Sequence, residues 1–186
     1  KVSAALPNRY PTDIEFDPTN TSIAYLTYSG YGTSHLFKST NSGAAWTDIS
    51  AGLPDIPHQA VTVDPENPQH VYVGTDLGVY HSPDRGTTWE EWNAGLPPAM
   101  VLDLTVSRAN GKLRAATFGN GVFERALVRI PTLGLVSPVG GEVLAGGTSA
   151  FLRWSSTFLD AVKLEFSADD GASWSLIANN VPAGPG

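Results

Sequence analysis

The chain runs through one order of apolar and polar positions more than once. Thr12-Asp13-Ile14-Glu15-Phe16-Asp17-Pro18 alternates its side chains as a half-buried strand does. A polar turn follows, then the strand-type run Ile23-Ala24-Tyr25-Leu26-Thr27. His35-Leu36-Phe37-Lys38 comes next, then a polar stretch with glycine, then Trp46-Thr47-Asp48-Ile49. The same order returns in Ala60-Val61-Thr62-Val63-Asp64-Pro65, in Val71-Tyr72-Val73-Gly74-Thr75 and in the segment that leads to Trp89. Each round closes on Ala-Gly-Leu-Pro, at 51–54 and at 94–97. The pattern predicts four short strands per round. A third round (Val101–Ser107, Lys112–Thr117, Gly121–Arg125) predicts three strands and no closing turn.

The polar stretch inside each round has its own skeleton, Ser-x-(Asp/Asn)-x-Gly-x-x-Trp. Its three copies place Ser39, Asn41, Gly43 and Trp46; Ser82, Asp84, Gly86 and Trp89; and Ser167, Asp169, Gly171 and Trp174. A short Gly-bearing loop between two strand-type runs is a hairpin signature. The glycine supplies a positive φ, and the Asp or Asn holds the turn by bonding backbone N–H groups. The Trp starts the returning strand and covers the hairpin's apolar side. The first two boxes start 43 residues apart, the length of one four-stranded propeller blade.

The box resembles the Asp-box, or BNR, repeat of β-propeller proteins, shared by sialidases, xyloglucan-cleaving glycosidases, sortilin-type receptors and photosystem assembly factors. The resemblance implies a structural fold-back between the two outer strands of a blade, away from the active face. Asn41 departs from the pattern but can still make the turn bond. Phe118-Gly119-Asn120-Gly121 resembles the last blade of such propellers. Two to three blades do not close a ring, which takes four to eight. The chain is therefore expected to be the C-terminal part of a larger propeller, or to be completed by another copy or another chain.

Ile130-Pro131-Thr132-Leu133 breaks the repeat. Phe151–Ser155 and Val162–Ser167 alternate again, and the third box closes a hairpin between 161–167 and 174–178. Ser137-Pro138, Gly141-Glu142, Gly146 and Arg153-Trp154 with that box resemble an immunoglobulin- or fibronectin-like module. Such a sandwich needs about seven strands, more than this stretch supplies. The expected fold is all-β: a partial β-propeller over 1–130 and an incomplete sandwich over 131–186. Unfinished strand edges invite pairing between chains, hence the expectation of self-assembly.

Composition narrows the partners. A formal charge of −7 argues against nucleic acid and anionic membrane surfaces. The apolar runs are too short to span a bilayer as helices. There is no cysteine, so neither disulfides nor thiolate chemistry enter. No cofactor and no metal site are expected, since no EF-hand loop and no zinc spacing of histidines occur. The composition suits a secreted or cell-surface bacterial protein.

Candidate chemistry is sparse. Asp13, Glu15 and Asp17 share one face of a strand that would line the propeller channel, and Asp103 lies on the corresponding strand of the third round. Asp13 and Asp103 are the candidate acid and base for glycoside hydrolysis, against a solvated polar face in which Asp17 caps a turn. Tyr28-Ser29-Gly30-Tyr31-Gly32-Thr33-Ser34-His35 is longer than its counterpart Gly74–Gly78. Tyr28, Tyr31 and His35 are candidates for stacking on and bonding a sugar, and Trp92 is a candidate platform. His58 and His70 are read as members of polar turns. No Gly-x-Ser-x-Gly elbow and no sialidase arginine cluster appear. The expected role is non-catalytic binding of glycan or protein. The alternatives are the C-terminal part of a glycoside hydrolase with catalytic residues mostly upstream, and a self-assembling structural subunit.

Overall fold

The computed structural model describes residues 6–129, 131–139, 141–143 and 146–184. The expected linker residue Ile130 and the final Pro185-Gly186 lie outside them. The described chain is all-β, with a single 3-10 turn at Arg108–Asn110. It divides into two compact units, 1–127 and 128–186.

The first unit holds three sheets. β1 (Pro11–Phe16), β2 (Ala24–Tyr28), β3 (Leu36–Ser39) and β4 (Thr47–Asp48) form one four-stranded antiparallel meander. β5 (His58–Val63), β6 (Val71–Thr75), β7 (Gly78–Ser82) and β8 (Glu90–Glu91) form the second. β9 (Val101–Ser107), β10 (Lys112–Thr117) and β11 (Gly121–Ala126) form a third with three strands. This is blade geometry. The outer strands β4 and β8 are two residues long and exposed, which blunts the sheet edges.

Each inner strand carries the same irregularity. The register shifts between Pro11 and Asp13, between His58 and Ala60, and between Val101 and Asp103. One extra residue, Thr12, Gln59 or Leu102, is accommodated there as in a β-bulge. The shared register makes Asp13, Ala60 and Asp103 equivalent, and likewise Ile14, Val61 and Leu104.

Strand alternation then builds two cores from one sheet. Val61, Val63, Val71 and Val73 face the first blade, where they bury with Ile23, Tyr25 and Leu36. Ala60, Tyr72 and Val79 face the third, where they bury with Trp92, Val101, Leu104, Leu113 and Ala115. The middle blade's β6 and β7 are consequently buried on both faces. Ile14 and Phe16, the first blade's equivalents of Val61 and Val63, are 49% and 47% exposed, since among the described residues of this unit no further sheet packs on that face.

In the second unit, β12 (Thr132–Ser137) pairs with β13 (Arg153–Thr157), and β14 (Ala161–Phe166) pairs with β15 (Ser175–Pro182). Trp154 Nε1 and Ser156 Oγ both donate to Ala183 O at 3.1 Å and tie the two hairpins together. Leu133, Leu135, Trp154, Leu164, Phe166 and Ile177 line an open apolar cleft of about 530 Å³.

Candidate functional site

The boxes are built alike. In the second, Ser82 Oγ accepts the Gly86 N–H at 2.7 Å, and Asp84 Oδ1 accepts the N–H groups of Thr87 and Thr88 at 3.0 and 2.8 Å. In the first, Ser39 Oγ accepts from Gly43 N at 2.8 Å and Asn41 Oδ1 from Ala45 N at 2.7 Å. In the third, Ser167 Oγ accepts from Gly171 N and Asp169 Oδ1 from Ser173 N, at 2.7 and 2.8 Å. The turn needs two consecutive left-handed residues. Ser42, Arg85 and Asp170 hold φ of 57°, 59° and 52° just before glycines at 84°, 89° and 88°. Trp89 lies against the first blade and donates from Nε1 to Ile49 O at 3.0 Å. Trp174, with no such neighbour, is 61% exposed. The second oxygens of Asp84 and Asp169 accept from the Thr88 and Ser173 hydroxyls, so both box carboxylates are used within their own turns.

Because the strands alternate in direction, the boxes and the β1–β2 and β5–β6 turns lie at one end of the blades. The β2–β3, β6–β7 and β10–β11 loops and the entries to the inner strands lie at the other. One bond recurs there in all three blades. Ser29 N donates to Tyr10 O, Asp76 N to Pro57 O and Phe118 N to Met100 O, at 3.1, 3.2 and 2.9 Å. This end exposes Tyr10, Tyr31, Leu77 and Phe118, with Tyr10 at 76%, Phe118 at 71% and Tyr31 at 63%.

The longest of these loops, Ser29–His35, is held from three sides. Arg9 donates from Nη1 to Tyr31 O at 2.7 Å and also to Thr33 Oγ1. Asp55, in the β4–β5 turn, accepts the Gly32 N–H with both oxygens, at 2.7 and 2.9 Å. Asp55 Oδ1 also lies 2.8 Å from His35 Nε2. The bond from His35, then that from Gly32, holds the Asp55 carboxyl below the usual carboxylate range. His35 Nδ1 lies 3.3 Å from Tyr28 O, and its ring stacks on His58 at 5.1 Å.

The sequence candidates scatter over this frame. Tyr31 is exposed in the loop. Tyr28 and His35 are buried beneath it, Tyr28 edge-on to Phe37 at 5.7 Å, so neither offers a surface to a sugar. Trp92 is likewise no platform. It is 6% exposed, packed on Tyr72, with the Arg125 guanidinium 4.0 Å over its ring. His58 is not a turn residue, and His70, although it closes the Asn67–His70 turn, lies inside the protein. His58 opens β5, fully buried, and burial pulls its imidazole down to about 4 despite the bond between Nδ1 and Ile56 O. His70 is buried, with Nδ1 2.9 Å from His81 Nε2, and His81 Nδ1 is 2.9 Å from Glu90.

Of the strand carboxylates, Asp13 uses both oxygens on backbone N–H groups, those of Ile14 at 2.8 Å and Val61 at 2.9 Å. Burial and the Asp13 charge push the Glu15 carboxyl up. Asp17 leaves the strand altogether. It is buried, accepts from Thr19 and Asn20, and meets Arg85 of the next blade's box at 3.5 Å. Asp103 is exposed on β9. The described residues contain no group of three or more His, Cys, Asp or Glu placed to hold a metal. No helix among them is long and apolar enough to cross a membrane.

Arg9, Tyr10 and Asp55 were missed by sequence reasoning. Asp55 directly follows the Ala-Gly-Leu-Pro closure, a position with no local signal, and it meets His35 only across the end of the blade.

Small antiparallel meanders in series define an all-β fold of the propeller kind. Two of the solved structures similar to it, with TM-scores above 0.5, agree. A GH74 enzyme from Niastella koreensis matches 61% of this chain and 19% of its own, at 25% identity and a TM-score of 0.52. An ancestral GH74 enzyme matches 59% of this chain and 14% of its own, at 22% identity and 0.51. A GH74 xyloglucanase from Xanthomonas campestris matches 56% and 18%, at 18% identity and 0.47. The chain spans less than a fifth of the length of each. No protein-family model matches the sequence, and a search of the curated proteins finds no relative.

Proposed function

We propose that these blades belong to a secreted or cell-surface propeller whose loop end binds polysaccharide. The observation that carries the reading is the exposure of three rings, Tyr10, Tyr31 and Phe118, at the end where Asp55 and Arg9 hold the longest loop. Exposed aromatic faces suit the apolar faces of sugar rings, and loops on a rigid scaffold are where binding residues collect. The likeness to GH74 enzymes supports it. The boxes act as Asp-box fold-backs on the opposite end, outside the site. The second unit serves as an immunoglobulin-like companion. The uncovered Ile14–Phe16 face and the three-stranded third blade mark where further blades, of this chain or of another copy, would dock.

A second reading rests on the same likeness: the chain is the C-terminal portion of a glycoside hydrolase of the GH74 kind, with its catalytic residues mostly on blades upstream. Asp13 is committed to the backbone, which leaves Asp103 as the one candidate carboxylate still free here. Calorimetric titration with cellohexaose and xyloglucan oligosaccharides tests both readings. Binding weakened roughly 10-fold or more by Tyr31→Ala or Phe118→Ala, through loss of a stacking ring, supports the first. Unchanged affinity in both variants overturns it. Hydrolysis that appears when further blades are restored, and disappears with Asp103→Asn, favours the second.

A further inference from the structure

Between the first two blades, Trp89 packs with Ile49 and Leu53 on the cluster that includes Val71 and Val73, and its Nε1 donates to Ile49 O at 3.0 Å. The repeat carries each neighbour of that indole forward by one blade. Trp92 stands where Ile49 does: its N–H donates to Val79 O at 2.9 Å, as the Ile49 N–H does to Leu36 O at 3.0 Å. Leu96 repeats Leu53 in the Ala-Gly-Leu-Pro closure. Leu113 and Ala115 repeat Val71 and Val73, opposite Val106 and Leu104 as those are opposite Val63 and Val61. The third round has no box, so no tryptophan repeats Trp89. Trp92, Leu96, Leu113, Ala115, Phe123 and Arg125 instead line a cavity of about 50 Å³. The Arg125 guanidinium, 4.0 Å over the Trp92 ring, fills part of the seat.

The sheet edge beside this cavity is open. β3 pairs with β4 and β7 with β8, but among the described residues β11 pairs only with β10. Thr75 Oγ1 donates to Gly78 O and Thr117 Oγ1 to Gly121 O, so the two hairpins share a register in which Phe123 and Glu124 correspond to Tyr80 and His81. His81 faces Glu90, the residue after the box tryptophan, and in the first blade Lys38 faces Thr47 in the same way. Residues of an antiparallel strand bond alternately to its two neighbours, which leaves the Glu124 N–H and C=O on the open edge.

We propose that the β11 edge and the cavity together form a binding site for an extended segment of another protein chain, one that opens on tryptophan and continues in polar residues. The segment adds to β11 as a strand, its main chain pairing with Glu124. Its indole takes the guanidinium's place beside Trp92, and the long stem of Arg125 lets the charge move to solvent. The two-residue strands β4 and β8, each directly after a box tryptophan, are the pattern for such a segment. The inference does not depend on the glycan reading, since the site lies along the outer strand of a blade and not among the exposed rings of the end loops.

The probe is a synthetic peptide of residues 43–53, which holds Trp46, Thr47 and Asp48. It is titrated into the full chain by calorimetry, with amide exchange at Glu124 followed by NMR. Exchange at Glu124 is expected to slow roughly 10-fold or more at saturation, as a new hydrogen bond forms. A peptide with Trp46→Ala should bind roughly 10-fold or more weakly, having lost its aromatic anchor. In the protein, Ala94→Phe places a ring at the cavity mouth from an exposed position; it should weaken binding by a similar factor and leave the melting curve unchanged. Glu124→Pro removes the edge donor at a place where sheets tolerate proline and should also weaken binding. No binding at millimolar peptide, or binding indifferent to the indole or to Ala94→Phe, overturns the proposal. Glu124 protection that is present without peptide and grows with protein concentration overturns a separate partner and gives the edge to a second copy.

Discussion

Asp13 and Val61 are joined across two blades: the carboxylate on β1 accepts the backbone N–H on β5 at 2.9 Å. Its other oxygen closes on Ile14 N–H, so the side chain is a buckle between inner strands. Thr12 Oγ1, beside it in the bulge, donates to His58 O and adds a second tie between the same strands.

Removing the buckle should cost stability. Asp13→Ala leaves the Val61 N–H without its acceptor and is expected to lower unfolding free energy by about 1–3 kcal/mol, read from urea denaturation. Asp103→Ala, at the equivalent but uncovered position, should stay within about 0.5 kcal/mol of the parent. An equal loss at both sites would show that register does not define the role.

The boxes predict a graded series. Asp84→Ala strips acceptors from Thr87 and Thr88 and is expected to cost about 1–2 kcal/mol, as loss of a side-chain cap does. Asp84→Asn should cost less, because Asn41 already fills that place in the first blade. Thermal melts of the three proteins give the order, and an Asn variant no better than Ala would contradict it.

His58 makes stability depend on pH. The unfolded chain takes up a proton near histidine's ordinary value of 6.5, whereas the folded chain resists it until about 4. The unfolded state binds more protons in that window, so stability falls as pH drops from about 6.5 to about 4, by up to roughly 3 kcal/mol. His58→Phe should remove most of that slope in urea titrations at stepped pH. A slope unaltered in the variant assigns it elsewhere.

Trp92 and Tyr31 should separate packing from binding. Trp92→Ala opens a cavity in the core between the second and third blades and is expected to cost about 3–5 kcal/mol. Tyr31→Ala, at an exposed loop position, should leave the melting curve nearly unchanged while weakening oligosaccharide binding. A Trp92 variant that melts like the parent would place the ring outside the core.

Strand identity in the blades was legible because strand-type runs are punctuated by turns that carry a glycine or, at Asp17-Pro18 and Asp64-Pro65, an Asp-Pro pair. The shorter third blade was legible too, since the repeat simply stops after Gly121–Arg125. Burial was harder to read. Tyr28 and Trp92 look like surface aromatics in a polar context, yet neighbouring strands enclose both. His58 and His70 sit among polar residues in sequence and inside the protein in space. The left-handed residue that precedes the glycine of each box, at Ser42, Arg85 and Asp170, is invisible in composition, because three unlike side chains take the same φ.

Local patterning alone determined the all-β class, the blade length and the hairpin form of the boxes. All three depend on interactions within about a dozen neighbouring residues. Only the tertiary structure decided what the carboxylates do. Asp13, Asp17 and Asp55 meet Val61, Arg85 and His35 across blades or across the blade end, at sequence separations that no local period encodes. The same carboxyl group becomes a buckle, a turn cap or a loop clamp according to which donor the folded chain brings within 3.5 Å of it.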